Sequence, residues 1–518
     1  MLLSGILEDA DEKHGNEPAV ECGATRFTYS ELNDRVERFA WALKKQGIGF
    51  PDRVALVHRN CHYFLESYFA TARIGAVSVP VNFRLSVSDI AYILEDSGSR
   101  SVIVEGHLYE SVRPALEQTP SLDLIVVTGE SSDLDLPDRA VRYSDFIKKS
   151  RQELPKPEIR DDGIANLYYT SGTTGKPKGV ILTHRNNYIH AVNTIKEIQL
   201  NRKDTWLHVS PMYHLADAWS TWAITMVGGK HLFAPETDAG KVLRTIESGR
   251  ATVSNFIPTM LARIMNHHDI DGIDLSSFRL VMSGGAPIAP DVIRDVIETF
   301  GCEYIQTYGL TETSPYLTMT ILKDRLKNLP FEERLEYLAT AGRPFKDVQL
   351  KVVRKNGEEV EPDNREVGEI IAKGETITPG YWRLPEETEK RIVDGWLHTR
   401  DLATVNPEGY VTIVDRMDDM IITGGENVYS IEVENVLNGH PKVSEAAVIG
   451  LKDEIWGERI VAIIVPKGEV PTEQEIIDYC KRELASFKAP KEIIRTDEIP
   501  MTTSGKIKKN LLRQKYGG

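Results

Sequence analysis

Asp52-Arg53-Val54-Ala55-Leu56-Val57 and, further on, Ala76-Val77-Ser78-Val79-Pro80-Val81 decide the fold. Each is a short valine-rich run, and such runs read as buried strands. Between them Phe64, Tyr68 and Ala72 recur every fourth residue, the apolar face of a helix. Strand, helix and strand in close succession build a mainly parallel sheet with helices on both faces. Upstream, Thr28-Tyr29-Ser30-Glu31 has the form of a capping box, and Leu32, Val36, Phe39 and Leu43 follow at helical spacing. Downstream the alternation continues through Trp206-Leu207-His208-Val209, Thr252-Val253-Ser254-Asn255-Phe256 and Leu280-Val281-Met282.

From about Gln349 to Thr412 the runs shorten and are separated by Gly, Pro and Asn, which predicts a barrel-like subdomain. The texture changes again near Asp415, and the remaining stretch of chain is long enough for a small separate domain. It includes an amphipathic helix around Glu473 to Leu484 and a basic end with Lys506, Lys508, Lys509, Arg513 and Lys515. Residues Gly129 to Pro137 and Lys148 to Pro157 read as surface connections.

At 518 residues the chain calls for two or three domains. Its 41% hydrophobic and 27% charged residues exclude a largely disordered protein. The net charge of −15 argues against nucleic acid or an anionic membrane as the main partner. Cys22, Cys61, Cys302 and Cys480 are scattered and fit reduced thiols better than disulfides or a zinc site. The start is apolar but soon acidic, unlike a signal peptide, and no run approaches membrane-spanning length. The expected location is cytoplasmic, with no stable membrane insertion. Peripheral membrane association and a homodimer both stay open.

The chemistry concentrates in Tyr169-Thr170-Ser171-Gly172-Thr173-Thr174-Gly175-Lys176-Pro177-Lys178-Gly179-Val180, between two apolar runs that read as strands. Glycines let backbone N–H groups turn inward, hydroxyls donate further hydrogen bonds and lysines supply charge, a combination suited to a nucleotide triphosphate. A plain surface turn is the alternative. It is not a Walker loop: only Thr173 and Thr174 separate Gly172 from Gly175, and Pro177 follows Lys176.

This loop resembles the phosphate loop of the acyl-adenylate-forming (AMP-binding) superfamily, which includes acyl- and aryl-CoA synthetases, luciferases and peptide-synthetase adenylation domains. The resemblance extends in order through Pro211–His214, Gly284–Pro287, Tyr308–Thr313, Gly395–Asp401, Asp415–Glu432 and Lys506. It implies an α/β fold: a large N-terminal domain of two mainly parallel sheets with flanking helices and the barrel-like subdomain, then a small α+β domain. The boundaries expected are 1–415 for AMP and acyl binding and 416–518 for a mobile domain carrying the catalytic lysine, hinged near Asp418.

The resemblance also assigns roles. Thr170, Ser171, Gly172, Thr173, Thr174, Gly175 and Lys176 cradle the phosphates of ATP, and Gly285, Ala286 and Pro287 close around adenine. Tyr308 stacks on adenine, Thr311 bonds the α-phosphate and Glu312 holds Mg²⁺, a role that suits a carboxylate. Asp401 accepts both ribose hydroxyls, and Arg416 makes a second ribose or phosphate contact. The family normally has Gly where this chain has Arg400.

Lys506 matches the adenylation lysine, which bridges the carboxylate and phosphate oxygens; read alone, it also fits a surface lysine in a basic tail. Gly425 belongs to the strip lining the CoA thiol channel. Rotation about Asp418 would bring Lys506 for adenylation and then Gly425 for thioester formation.

Tyr213, His214, Trp219, Gly285 and Gly309 are assigned to the substrate pocket, with His214 as its gate and Trp219 near the gating tryptophan of fatty-acyl members. Trp219 and its neighbours also fit plain core packing. Asp217, unsuited to an apolar tunnel, is expected to point outward. His208, His214 and His231 lack metal-ligand spacing, and no carboxylate is expected to accompany them.

Peptide-synthetase domains hold an amino group with an aspartate where this chain has Tyr213-His214. Little sequence follows Lys506, so the acyl group is expected to leave on CoA rather than on a carrier domain. The segment Leu322 to Tyr337 resembles that of medium- to long-chain fatty-acyl members. The expected activity is therefore a fatty acid–CoA ligase using ATP, Mg²⁺ and CoA. An aryl or short branched acid is the alternative substrate, and an adenylate-binding protein without turnover is the alternative class.

Overall fold

The structure, a computed structural model, describes residues 2–129, 133–148, 158–170, 176–234, 238–286, 288–502 and 506–517. It divides into two compact units. One comprises Met1–Gly284, Ile288–Gln349 and Lys373–Leu397; the other comprises Gly285–Pro287, Leu350–Ala372 and His398–Gly518.

The first unit holds two sheets. In the seven-stranded sheet the spatial order is Ala140–Arg142, Leu124–Thr128, Ser99–Glu105, Arg53–Val57, Val77–Pro80, Ile164–Thr170 and Lys178–Thr183. Every neighbouring pair is parallel except the last. The two quoted strands lie side by side in it, in register from Arg53 with Val77 to Leu56 with Pro80. Helix His62–Ile74 makes the crossover between them. The expected capping box is formed: the Thr28 hydroxyl accepts from the Glu31 N–H at 3.3 Å, and Glu31 Oε2 accepts from the Thr28 N–H at 2.8 Å. Leu32, Val36, Phe39 and Leu43 of the helix it opens are fully buried. Burying a side chain of that size stabilises by about 1.5–3 kcal/mol.

The second sheet has nine strands, in the order Arg343–Pro344, Tyr316–Met319, Glu303–Gly309, Leu280–Gly284, Val253–Phe256, Thr205–His208, Lys230–Phe233, Pro18–Cys22 and Thr25–Thr28. Its middle is parallel and its ends antiparallel. Leu207, Leu243, Ile246, Phe256, Val281 and Ile293 belong to one core against it.

The short strands expected between Gln349 and Thr412 are Val348–Val353, Gly368–Gly374, Ile392–Val393, Trp396–Val405 and Val411–Arg416, all in one sheet. In the second unit a further sheet is built on the long hairpin Val443–Asp453 and Gly457–Pro466. Both its faces are buried. Val448, Ile460 and Ala462 meet Val433, Leu437, Ile476 and Cys480 of the helices Ser430–Asn438 and Glu473–Glu483. Ile449, Val461 and Ile463 meet Leu512 of the helix Lys509–Tyr516. Among the described residues no helix is long and apolar enough to cross a membrane.

Candidate active site

Strands Ile164–Thr170 and Lys178–Thr183 pair antiparallel, with Thr170 opposite Lys178, so the phosphate-loop sequence connects a hairpin. Its centre, Ser171, Gly172, Thr173, Thr174 and Gly175, lies outside the described residues. At the near end Thr170 closes its strand, and the Tyr169 hydroxyl donates to Asp96 at 2.6 Å. At the far end Lys176 is exposed, its ammonium 5.0 Å from the centre of the Tyr92 ring. Lys178 pairs with Glu387 at 2.6 Å, which ties that lysine to the scaffold.

Tyr308 and Gly309 end the strand Glu303–Gly309, and Thr311 and Glu312 form the turn after it. The chain then returns as Tyr316–Met319, with Tyr316 opposite Gly309. A Cβ at Gly309 would lie 1.8 Å from the Pro315 carbonyl oxygen, so the return requires glycine there. Glu312 is buried, and its Oε1 accepts from the Tyr381 hydroxyl at 2.7 Å. Burial and the neighbouring Glu312 carboxylate push the Tyr381 hydroxyl well above its usual range, so it stays a donor. A buried, oriented carboxylate is the oxygen donor that Mg²⁺ takes, and Glu312 fits that ion. Gly285 has φ 89° and is exposed, Ala286 is half-buried, and Pro287 lies outside the described residues.

The acyl-side segment is braced by Asn60, which sequence reasoning passed over, and by Tyr68, which it read only as part of a helix's apolar face. The Asn60 side chain donates to the carbonyls of His208 and Ser210 and accepts from the Met212 N–H at 2.9 Å. The Tyr68 hydroxyl donates to the Met212 carbonyl at 2.9 Å. These bonds hold Tyr213 against Phe83 and His214, at ring distances of 5.6 and 4.8 Å. His214 is half-buried at the start of the short helix Leu215–Ala218.

Asp217 does not point outward. It is fully buried; one oxygen accepts from the Trp206 indole at 3.0 Å and the other meets His208 Nδ1 at 2.6 Å. His208 Nε2 then meets His231 Nδ1 at 2.9 Å, and His231 Nε2 meets the Thr225 hydroxyl at 3.0 Å. A carboxylate therefore does accompany His208, contrary to expectation, and it serves as that histidine's hydrogen-bond partner. Burial, with His208 next to it, holds His231 well below the ordinary imidazole range.

Trp219 is buried against Trp206 at 4.9 Å, Tyr316 at 5.6 Å and His190 at 5.7 Å between ring centres. His190, from helix His184–Glu197, also packs on Tyr316 at 5.1 Å and Phe345 at 5.3 Å. Neither ring nitrogen of His190 has a hydrogen-bond partner, and the Tyr316 hydroxyl has none in bonding geometry. The Trp219 indole N–H faces that hydroxyl but donates to the Ala216 carbonyl at 3.2 Å. A buried polar group without a partner costs about 1–3 kcal/mol. Burial drives the His190 pKa down to about 3, so its ring is neutral at physiological pH.

In the second unit Asp401 and Arg416 face each other across the hairpin Trp396–Val405 and Val411–Arg416, and form an ion pair at 3.2 Å. Asp401 is buried and Arg416 exposed. Arg400 has φ 63°, the left-handed backbone that explains the family's glycine at this position. Its guanidinium pairs with Asp418 and its N–H donates to Glu369 at 2.9 Å, so side-chain contacts hold the strained residue.

Gly424 and Gly425, at φ 59° and 84°, form the two-residue turn between Ile421–Thr423 and Glu426–Val428. Lys506 is exposed; its N–H donates to the Thr502 hydroxyl at 3.0 Å and its carbonyl accepts from the Thr502 N–H at 2.7 Å. Lys509, which reads in the sequence as part of a basic tail, is buried. Its ammonium meets the Ser430 hydroxyl at 2.6 Å and Glu434 at 2.7 Å. Ser430 in turn donates to Asp415, whose carboxyl burial pushes up while Lys509 opposes the rise.

A Gly/Thr-rich loop on a hairpin, a buried oriented carboxylate after an aromatic–glycine strand end, and a separate unit carrying an Asp–Arg pair and a late lysine together describe an adenylate-forming ligase. A profile described as AMP-binding enzyme matches residues 7–382, and one described as AMP-binding enzyme C-terminal domain matches residues 432–506. The chain is 34% identical to 4-hydroxybutyrate–CoA ligase 2 of Metallosphaera sedula, over 98% of this chain and 93% of that protein. It is 35% identical to a long-chain-fatty-acid–CoA ligase of Thermus thermophilus, over 95% and 90% of the two chains. The crystal structure of the anthranilate CoA ligase AuaEII in complex with anthranoyl-AMP superposes with a TM-score of 0.87, at 27% identity, over 99% and 97% of the two chains. The chain belongs to the AMP-binding enzyme family and is an acyl-CoA synthetase, an acid–CoA ligase that works through an acyl-adenylate.

Proposed function

We propose that this enzyme joins a medium- to long-chain fatty acid to CoA. In the first half-reaction a carboxylate oxygen of the acid attacks the α-phosphorus of ATP, and the bond to the β-phosphate oxygen breaks to release pyrophosphate. In the second the CoA sulfur attacks the acyl carbon. The bond from that carbon to the phosphate oxygen breaks, AMP leaves, and the thiol proton passes to solvent.

In this reading Thr170, the loop 171–175 and Lys176 hold the triphosphate, and Tyr308 with Gly285, Ala286 and Pro287 encloses adenine. Asp401 and Arg416 hold the ribose, with the Asp401 carboxylate accepting from the diol. Thr311 bonds the α-phosphate. Glu312, oriented by Tyr381, would hold Mg²⁺, which when bound neutralises charge on the phosphates. Lys506 supplies its cation where two anions are forced together. Residues 416–518 turn about Asp418 to exchange Lys506 for Gly425, and His214 gates the acid's entry.

One observation carries the choice of acid: the rings around Trp219 belong to Trp206, Tyr316 and His190, and His190 is neutral. A wall of uncharged aromatic groups accepts an apolar tail and gives no counter-charge to a second carboxylate. The likeness to the Thermus fatty-acid ligase supports the same reading. The same rings favour an aryl acid as the second reading, as the likeness to the anthranilate ligase does.

Pyrophosphate release with butyrate, octanoate, dodecanoate, hexadecanoate and benzoate, followed by thioester formation on adding CoA, tests the choice. Octanoate or longer acids are expected to give the highest kcat/KM. An advantage of about tenfold for benzoate or butyrate, worth about 1.4 kcal/mol, would overturn it.

A further inference from the structure

We propose that His190 and Tyr316, beside Trp219, form a subsite that reads a hydroxyl group on the tail of the acid, so that hydroxylated acids are preferred to their plain counterparts. The inference rests on the ligase reading and deepens its substrate class.

Three observations converge. The first is lack of partners: both nitrogens of the fully buried His190 make no hydrogen bond, and the hydroxyl of the buried Tyr316 meets only the Trp219 indole N–H, outside bonding geometry. A purely apolar lining would be served by leucine or phenylalanine at both positions, as it is by Phe345 beside them. The second is place. Tyr316 stands opposite Gly309 at the strand end assigned to the substrate side, and Trp219 follows His214 in the segment assigned to the acid. His190 touches both Tyr316 and Trp219, so the unpartnered atoms lie beside residues assigned to the acid.

The third is charge and donor type. A neutral imidazole offers one N–H donor and one nitrogen acceptor, and a phenol offers both through one oxygen. A hydroxyl, itself donor and acceptor, complements that pair. A second carboxylate or an ammonium group does not: the nearby carboxylate, Asp217, already serves Trp206 and His208. The ligand class is therefore an uncharged monocarboxylic acid with a hydroxyl along or at the end of its tail.

The test uses matched pairs: butyrate, octanoate and dodecanoate against their ω-hydroxy counterparts, and cinnamate against para-hydroxycinnamate. Pyrophosphate release in the full-length enzyme gives the ratio of kcat/KM within each pair. In at least one pair the hydroxylated acid is expected to win by about tenfold or more, since a site built to bond a hydroxyl discriminates against the analogue lacking it. Tyr316→Phe and His190→Leu should each pull that ratio toward one, with the loss falling on the hydroxylated acid. His190→Gln, which keeps a donor and an acceptor, should retain more of it than His190→Leu.

A ratio at or below one in every pair overturns the inference. So does a preference that survives both variants, or variants that slow both members of a pair equally, the mark of a packing role. Failure to release pyrophosphate with any acid would instead bring down the ligase reading, and this inference with it.

Discussion

Trp219 touches two buried polar clusters that look alike in composition and differ in their hydrogen bonding. Toward Trp206 runs a chain of bonds from indole to Asp217, His208, His231 and the Thr225 hydroxyl, and each link is within 3.0 Å. Toward His190 and Tyr316 the ring centres lie farther off, at 5.7 and 5.6 Å against 4.9 Å for Trp206. The His190 nitrogens bond nothing, and the Tyr316 hydroxyl meets only the Trp219 indole N–H, outside bonding geometry. Buried polar groups need partners, so a cluster that satisfies itself holds the fold together. A cluster that does not has chemistry to offer a ligand.

Substitutions should separate the two. The largest effect is expected from Asp217→Ala, which strips the acceptor from Trp206 and His208 and leaves both buried. Each buried polar group left without its hydrogen-bond partner costs about 1–3 kcal/mol, and this substitution strands two. Urea unfolding should show a loss of that order, and a loss below about 1 kcal/mol would remove the contrast between the clusters.

Next in size is a pH effect at His190. Its pKa is pushed down to about 3 in the folded protein, from 6.5 in the open chain. Between those values the unfolded chain binds a proton that the folded chain does not, so stability present above pH 6.5 is lost as the pH falls toward 3. The loss is about 1.4 kcal/mol per pH unit, or about 2 kcal/mol by pH 5. Unfolding curves of His190→Leu should lack this component of the acid limb, and an unchanged slope would mean that His190 is protonated or solvated in the folded state.

At neutral pH the same variant should be more stable than the parent by about 1 kcal/mol, because an apolar side chain replaces an unpartnered polar one. That gain, set against the loss for Asp217→Ala, is the sharpest form of the comparison.

The smallest effect is expected outside the core. The Arg400 and Asp418 side chains are 46% and 38% exposed. Pairs of that kind contribute about 0–1 kcal/mol, and Arg400→Gly also relieves a left-handed backbone. The net change in unfolding free energy should stay within about 1 kcal/mol. A larger loss would give the surface pair the weight assigned to the buried one.

Local signals in the sequence were reliable where the cause was local. The Thr28–Glu31 box, the helix Glu473–Glu483 and the strand pair Arg53–Val57 and Val77–Pro80 follow from spacing within a few residues. The Gly309 requirement was legible only as a motif, because its cause is the Pro315 carbonyl brought back by the next turn.

Long-range pairing was not legible. Pro18–Cys22 lies beside Lys230–Phe233, far along the chain, and nothing local announces it. Asp217 misled for the same reason. In sequence it is an acid among apolar residues; in the fold the strand Thr205–His208 brings Trp206 and His208 against it. Lys509 reads as one more cation in a basic tail, and burial against Ser430 and Glu434 sets it apart from its neighbours.

The central claim is that an acyl-adenylate forms before CoA acts and that Lys506 drives its formation. Acid-dependent exchange of labelled pyrophosphate into ATP, measured without CoA in the parent enzyme and in Lys506→Ala, tests it most directly. The account predicts exchange in the parent that falls by about 10²–10³-fold in the variant, while ATP binding is retained. Exchange that is absent with every acid, or equal in the two proteins, would contradict it.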